Sequence, residues 1–523
     1  MKKLYIVVFI AGLMTLGSGC KKYLDVNTNP NAPQSVTANL YLAPMLHWMA
    51  TAPQYDARFI NRYTQNMTVT TVNSTWDRHG YDPVSDNGSE LWRDVYWTFG
   101  QNLVDMMTKA EAEQRWDLLG VGYILKAWGW QSLTDVHGEI IIKEAIDPTK
   151  TVFNYDSQEF AYQEVQRLLN LAILNLQRTD GAVDAAFLGK TDIIYKGNRT
   201  KWLKFAYGLL AVNLNHYSNK SALYKPDEVI AAVNNSFASN DDDALVTYTG
   251  ISNDDRNFLG GTRANFVSYR QTLFILSLMN GTQFTGVVDP RMTRMLSPSP
   301  DGVYRGLDPT FGAGALTATQ IPNSIYGYPT ATAYTTGMPV RYLFDDKSKF
   351  PVMTYSQLQF IKAEAAYKKG DKATALTAYT SGVSTHIDFV NARNLDANQT
   401  PAQISSTEKA AYLASAVIVP LAENLTLSKI MEQKYIAQWG WGCLEQWMDL
   451  RRYHYTDTDP ATGQQVFAGF VIPTNLYPDN VGNAVYRIRP RYNSEYIWNR
   501  ASLDKFGGLA PDFHTKPTWI VQP

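Results

Sequence analysis

The sequence predicts a mainly α-helical (all-α) protein whose helices stack in antiparallel pairs and whose scaffold is interrupted by one loop-rich excursion. Three observations carry that prediction. Val165, Leu168, Leu169, Ala172, Ile173 and Leu176 fall at i, i+3, i+4, i+7, i+8 and i+11, and Trp202, Phe205, Ala206, Leu209 and Leu210 keep the same spacing. Over 355–383, the small residues Ala363, Gly370, Ala375 and Gly382, with Tyr379, follow the small–turn–small–aromatic–small order of a helical hairpin repeat. Between 240 and 350 the helical pattern lapses.

At the N-terminus, Lys2 and Lys3 precede an apolar run over 4–16, then Gly17, Ser18, Gly19 and Cys20. This is the layout of a secretory signal. The run is shorter than the roughly 20 residues that cross a bilayer, and small residues ending directly on Cys look like a bacterial lipobox. Residues 1–19 therefore read as a signal peptide, and Cys20 as the lipidated first residue of the mature chain. Residues 21–33 are polar and rich in Asn and Pro, which resist helix and strand. Segment 20–33 reads as a lipidated tether.

Residues 34–65 read as helix through Leu42, Met45, Leu46 and Met49, with Phe59, Ile60 and Tyr63 continuing the face beyond Pro53. The stretch 66–89 is polar and broken by Gly80, Pro83 and Gly88. Loops of that length are more often functional than idle. Helix resumes over 90–112 and again over 116–134. Helices at 157–177 and 201–217 are expected to form an antiparallel pair, the unit of tetratricopeptide (TPR) repeats. Strict self-similarity is absent, so the TPR-like scaffold is degenerate. Within the excursion, 273–279 reads as a short helix and 309–340 has no charged residue. A last pair over 425–453 breaks at Gly440 and Gly442, and 454–523 is irregular. The whole of 34–523 reads as a single domain: scaffold 34–239 and 351–453, excursion 240–350, irregular segment 454–523.

Apolar residues at 45% with charged residues at 18% describe a chain able to bury a large core. A net charge of −1 makes no electrostatic case for nucleic acid. With Cys20 lipidated, Cys443 has no intrachain disulfide partner, so an exported chain of this size must rely on its core. The aromatic share, 13%, is high for a low-charge chain. Some rings are therefore expected to line a sugar- or peptide-binding surface, since Tyr and Trp offer flat apolar faces with a polar handle.

Several segments resemble the SusD/RagB family of outer-membrane nutrient-binding lipoproteins. Cys20, Leu24 and Asp25, followed by Asn27-Thr28-Asn29-Pro30-Asn31, look like its mature N-terminus. Asp135, Gly138, Ile140, Glu144 and Ala145 match its turn after a helix, with Ile141 where the family usually has Pro. Lys201-Trp202, Lys204-Phe205-Ala206 and Asp289-Pro290-Arg291 match two further motifs. So do Glu432, Lys434 and Ala437, followed by Glu445, Trp447, Asp449, Arg451 and Arg452. A last match lies over 486–499, where Pro490-Arg491-Tyr492 replaces the usual Tyr-Pro order. The resemblance implies a cell-surface protein of the outer membrane that binds a nutrient, a glycan first and an oligopeptide second. It also implies a partner, a SusC-type TonB-dependent transporter that takes the nutrient over.

No catalytic motif is present. The seven histidines include no i, i+3 or i, i+4 pair, and HExxH, CxxC and a Gly-x-Ser-x-Gly elbow are absent. Gly189-Lys190-Thr191 imitates a P-loop end, but Asp184 stands where its first Gly is needed. The acid pairs at 241–243, 254–255 and 345–346 read as solvated turns rather than glycosidase carboxylates. No cofactor and no metal site are expected; calcium at 241–243 lacks EF-hand spacing. Glu432, Asp449, Arg451 and Arg452 are expected to make salt bridges between helices, and Trp439, Trp441 and Trp447 to lie in the core. The ligand site is expected where the two breaker-rich loops converge. Trp76 and Tyr81 would stack beside Tyr326, Tyr328 and Tyr334, with Asp77 and Arg78 as hydrogen-bonding groups. A surface glycosidase and a pure TPR scaffold without a small ligand are the rival readings.

Overall fold

The computed structural model describes residues 36–82, 84–329, 332, 334–396, 399 and 401–523. Cys20, the signal peptide and the tether lie outside the described residues.

Helix α1 (Leu42–Tyr63) runs unbroken through Pro53 and buries Leu42, Met45, Leu46, Met49 and Ile60. Six further helices form three antiparallel pairs: α3 (Trp116–His137) with α4 (Gln158–Gln177), α5 (Arg199–His216) with α6 (Pro226–Asn235), and α8 (Tyr355–Lys369) with α9 (Lys372–Arg393); the last pair expected, α11 (Leu427–Gln438) and α12 (Cys443–Arg452), is corrected, since α11 packs mainly on α8 and α12 mainly on α1. Successive pairs pack in series through α4 on α5 and α6 on α8. Side-chain caps start several of them: Ser157 accepts from Phe160 N, Asn198 from Lys201 N and Asp371 from Thr374 N.

This arrangement is the predicted TPR-like scaffold, with one refinement. Helices α4 and α5 pack together as expected, but α4 packs more extensively on α3, and α5 packs about equally on α4 and α6. The reason is close approach. A Cβ on Gly120 of α3 would lie 2.6 Å from Leu176 Cγ of α4, so only glycine lets these two backbones come together. Gly382 of α9 plays the same part against the Phe360 ring of α8, where a Cβ would lie 2.8 Å from Cζ.

Buried charges join the helices. Lys434 Nζ lies 2.9 Å from Glu445 and 2.8 Å from Asp449, and Arg452 lies 2.7 Å from Glu364 and 2.6 Å from Asp449. His216 Nε2 lies 2.9 Å from Glu445. Burial alone would lower His216, but the Glu445 and Asp135 carboxylates outweigh it and raise its pKa to about 9. Asp449 and Arg452 thus bridge helices as expected. Glu432 and Arg451 do not. Glu432 accepts from Gln283 Nε2 at 3.0 Å, and burial pushes its pKa up to about 8. Arg451 donates to the carbonyls of Asp135 and Tyr486 at 2.6 and 2.9 Å. Trp439, Trp441 and Trp447 are buried in the core as predicted.

The excursion leaves the scaffold after α6 and returns at α8. Short antiparallel strand pairs tie it down: β1 (Met67–Val69) to β3 (Tyr269–Gln271), and β2 (Ala244–Val246) to β4 (Phe350–Met353). Helix α7 (Leu273–Met279) lies inside it, where periodicity places it, and α10 (Ser406–Ala414) follows α9 in the scaffold. The acid clusters at 241–243 and 345–346 are not the solvated turns expected: Asp242, Asp243, Asp345 and Asp346 are buried, because their carboxylates serve local structure. Asp242 pairs with Lys204, Asp243 accepts from Tyr355 N, and Asp346 accepts from Thr262 N. The C-terminal segment packs back on α3, with Ile488 N donating to Val136 O at 2.9 Å.

Candidate functional site

The main concavity is built from an irregular helix. Residues 90–112 read as one α-helix in sequence, but the chain forms a first turn (Glu90–Arg93), a π-helical turn (Asp94–Phe99) and then α2 (Gly100–Ala112). A π-turn accommodates an extra residue, and such turns recur at functional sites. Here it lets Val95 and Phe99 both reach the core while Trp97 is turned out, 68% exposed. Gly100 ends the turn at φ +32°, a backbone that side chains rarely adopt.

A second π-turn (Tyr492–Trp498) faces the first. Between them lies a cleft of about 870 Å³, within the usual range of ligand sites. Trp92, Tyr96 and Trp97 line one side; Arg491, Ser494 and Glu495 line the other; Ile141, Ile146 and Phe153 form its floor. Beyond Trp97 a second groove of about 570 Å³ runs under Tyr41 and Trp48. Arg93, Trp97 and Asn102 wall both.

Hydrogen bonds hold the walls rigid. Tyr96 Oη donates to Ile141 O at 2.7 Å and accepts from Ile141 N at 2.8 Å. Asp156 accepts from Ile142 N and Lys143 N, both at 2.9 Å. Glu495 accepts from Tyr155 Oη at 2.5 Å and Asn499 Nδ2 at 2.9 Å. The Arg93 guanidinium sits 4.6 Å over the Trp97 ring and 5.9 Å over Trp48, and pairs with Glu90 at 2.7 Å. Arg491 pairs with Asp86 at 3.0 Å, fastening loop 66–89 to the far wall. Beneath the first π-turn, burial raises the Asp94 carboxyl well above its ordinary range. Asp56 accepts from Glu90 N and Leu91 N at 3.0 and 2.9 Å, and burial nonetheless raises it to about 7. Among the described residues no group of three or more His, Cys, Asp or Glu is placed to hold a metal ion. The arrangement suits reversible binding of a ligand with flat apolar faces and polar edges.

The two loops singled out in the sequence do meet. Asn73 N donates to Thr310 O at 2.8 Å and Ala313 N to Thr70 O at 3.3 Å. Their aromatic residues do not meet, and the expected exposed platform is corrected. Trp76 is 6% exposed and packs on Phe59, Tyr63 and Tyr81 with centroids 4.5, 5.4 and 5.2 Å away. Asp77 is buried against Arg62 at 2.7 Å, and Thr68 Oγ1 donates to it at 2.8 Å. Arg78 donates to the carbonyls of Asn475 and Leu476 at 2.7 and 3.1 Å. Tyr81 is buried, its hydroxyl donating to Asn87 O at 3.1 Å. On the other loop Tyr326 is buried and accepts from Phe266 N at 3.1 Å. Tyr328 and Tyr334 are half-buried, their hydroxyls donating to Pro339 O and Met338 O. A loop with few aliphatic side chains is anchored by its rings, which is why they turn inward. Trp97 was legible: it lies off the stripe formed by Trp92, Val95, Phe99, Leu103 and Met106. The far wall was not, because it comes from the irregular segment.

The family model described as "Starch-binding associating with outer membrane", SusD-like, matches residues 30–478. The chain belongs to the SusD-like family. Solved structures share its fold. A SusD/RagB family protein from Bacteroides thetaiotaomicron is 21% identical with a TM-score of 0.66, over 93% of this chain and 99% of that one. A SusD homologue from Bacteroides fragilis is 18% identical with a TM-score of 0.72, over 93% and 100%. A chitin-binding SusD homologue from Flavobacterium johnsoniae is 19% identical with a TM-score of 0.65, over 92% and 98%. No curated protein matches. Among the described residues of this SusD-like chain, no helix is long and apolar enough to cross a membrane.

Proposed function

We propose that this SusD-like protein captures a glycan at the surface of the outer membrane and passes it to a SusC-type TonB-dependent transporter, tethered by a lipid on Cys20. The observation that carries the reading is the cleft between the two π-turns. It presents the 68%-exposed Trp97 above polar groups of Gln101, Asn102 and Asp147. Ring stacking on apolar sugar faces, with side-chain hydrogen bonds to hydroxyls, is the matching chemistry. The starch-binding description of the family and the chitin-binding relative support a glycan over a peptide. Binding rather than catalysis is supported by the acid pairs, whose carboxylates serve ion pairs and backbone caps.

A glycan and peptide array identifies the ligand, and calorimetric titration of wild type and Trp97→Ala tests the site. Loss of affinity with an unchanged melting temperature supports the cleft; unchanged affinity overturns it. The tether is tested by membrane fractionation of Cys20→Ala, which should release the protein, and the partner by pull-down from solubilised outer membranes. Recovery of the protein alone, across several growth substrates, counts against the transporter.

A further inference from the structure

The groove beyond Trp97, of about 570 Å³, is large enough to hold a ligand of its own. Leu40, Tyr41, Pro44 and Trp48, at the start of α1, form its far side. Arg93, Trp97 and Asn102 stand between it and the cleft. That divide is an open ridge rather than a closed partition, because Trp97 and Asn102 are both exposed. A ligand lying in the cleft can therefore continue into the groove across the Trp97 ring.

Two observations point to one ligand across both. The first is the placement of the rings. Tyr41, Trp48 and Tyr55 recur every seven residues, which on a helix is one face, drifting by only about 20° at each step. Large rings at helical spacing are usually core, yet all three are only half-buried. The Arg93 guanidinium lies over both Trp48 and Trp97, so the ring of the groove and the ring of the cleft are near neighbours. Trp48 lies 6.1 Å from Tyr55 between ring centroids. An aromatic surface thus runs from Trp97 onto α1. The second observation is the chemistry of the groove. Among the described residues that line it, Arg93 is the one charged side chain, and Glu90 already pairs with it at 2.7 Å. Flat rings beside the uncharged polar groups of Thr98 and Asn102 suit a neutral ligand with apolar faces and polar edges.

We propose that the ligand is an extended neutral glycan chain that lies in the cleft, crosses the Trp97 ridge and continues into the groove at the start of α1, where Tyr41 and Trp48 form a second subsite. The inference rests on the cleft being the glycan site. A chain that spans both grooves loses its translational and rotational freedom once. Each contact then holds the rest of the chain at high local concentration over the other, so affinity grows with chain length until both grooves are filled. A disaccharide is too short to occupy both and gains nothing from the second.

The test is calorimetric titration with two series of probes, chosen for the starch and chitin named for the family and for one of the similar structures. One series is maltose, maltotetraose and maltohexaose; the other is N-acetylated chitobiose, chitotetraose and chitohexaose. In at least one series the hexasaccharide should bind at least about ten-fold tighter than the disaccharide, a modest share of what linked contacts supply. Trp48→Ala and Tyr41→Ala should each remove most of that gain while leaving the affinity of the disaccharide unchanged. Trp48→Phe, which keeps a ring, should retain the gain. Should Trp48→Ala fold poorly, Tyr41→Ala decides. Equal affinity along both series, with binding still weakened by Trp97→Ala, overturns the second subsite and leaves the cleft standing. A length gain that persists in both alanine variants also overturns it. So does an equal loss for short and long probes in Trp48→Ala, which would make Trp48 a support for Arg93 and Trp97. Binding unchanged by Trp97→Ala overturns the cleft and this inference with it, as does absence of binding by all six probes.

Discussion

Trp76 and Trp97 are the same side chain, not far apart in sequence, in opposite situations. Trp76 sits in a loop without periodicity, yet it is 6% exposed and wedged among Phe59, Tyr63 and Tyr81. Trp97 sits in a helical stretch, yet it is 68% exposed above a cleft. The loop has no secondary structure to hold it, so its rings become its core contacts. The helix is held by Val95, Phe99 and Leu103, so its π-turn can spare a ring for solvent. An aromatic residue is available for binding where other residues already secure its backbone.

The comparison predicts a double dissociation. The largest effect is expected at Trp76. Trp76→Ala should cost about 3–5 kcal/mol of stability, the range for a buried large ring, seen as a lower melting temperature. A Trp76→Ala protein with wild-type melting and lost affinity would reverse the assignment of the two rings. Trp97→Ala should cost roughly 1–3 kcal/mol of ligand binding, by analogy with other stacking platforms. Its stability should change by no more than about 0.5 kcal/mol.

The ground beneath Trp97 should respond to pH. Asp56 supports the start of its helix, and burial raises the Asp56 carboxyl to about 7 from an ordinary 3.8. Between those values the folded chain holds a proton that the unfolded chain releases. Stability from this group is therefore greatest at acid pH and falls as pH rises towards 7. Asp56→Asn cannot ionise. Its melting temperature should improve relative to wild type from pH 4 to pH 7, and a constant difference across that range would count against the assignment. The smallest effect is expected at Arg93, whose guanidinium lies over Trp97 and Trp48. Arg93→Met should weaken binding by about 0.5–1 kcal/mol, the scale of an exposed cation–π contact. A loss as large as that of Trp97→Ala would make Arg93 a ligand contact rather than a support for the ring.

The helical scaffold was legible because apolar spacing is a local property. Val165 to Leu176 reads as a buried stripe before any partner is known, and the α8–α9 hairpin announces itself through Gly370 and Gly382. Which helices pair was less legible. Gly120 reads as a poor helix residue until Leu176 is brought against it. The cleft was half legible. Trp97 falls off its helix's stripe, but the opposite wall comes from Arg491, Ser494 and Glu495, which follow no period. The loop rings were misread because a breaker-rich stretch shows where chain regularity ends, not which way its side chains turn.

The sequence by itself determined the helical class, the excursion from 240 to 350 and the membership of the SusD-like family, because these rest on local periodicity and on residues at set spacing. Tertiary structure alone decided that Lys434, Arg452 and His216 join helices through shared carboxylates, that Trp76 is buried, and that two π-turns from distant parts of the chain face each other. Each of these depends on contacts between residues far apart in sequence. Burial, pairing and concavity are properties of such contacts, and no local pattern encodes them.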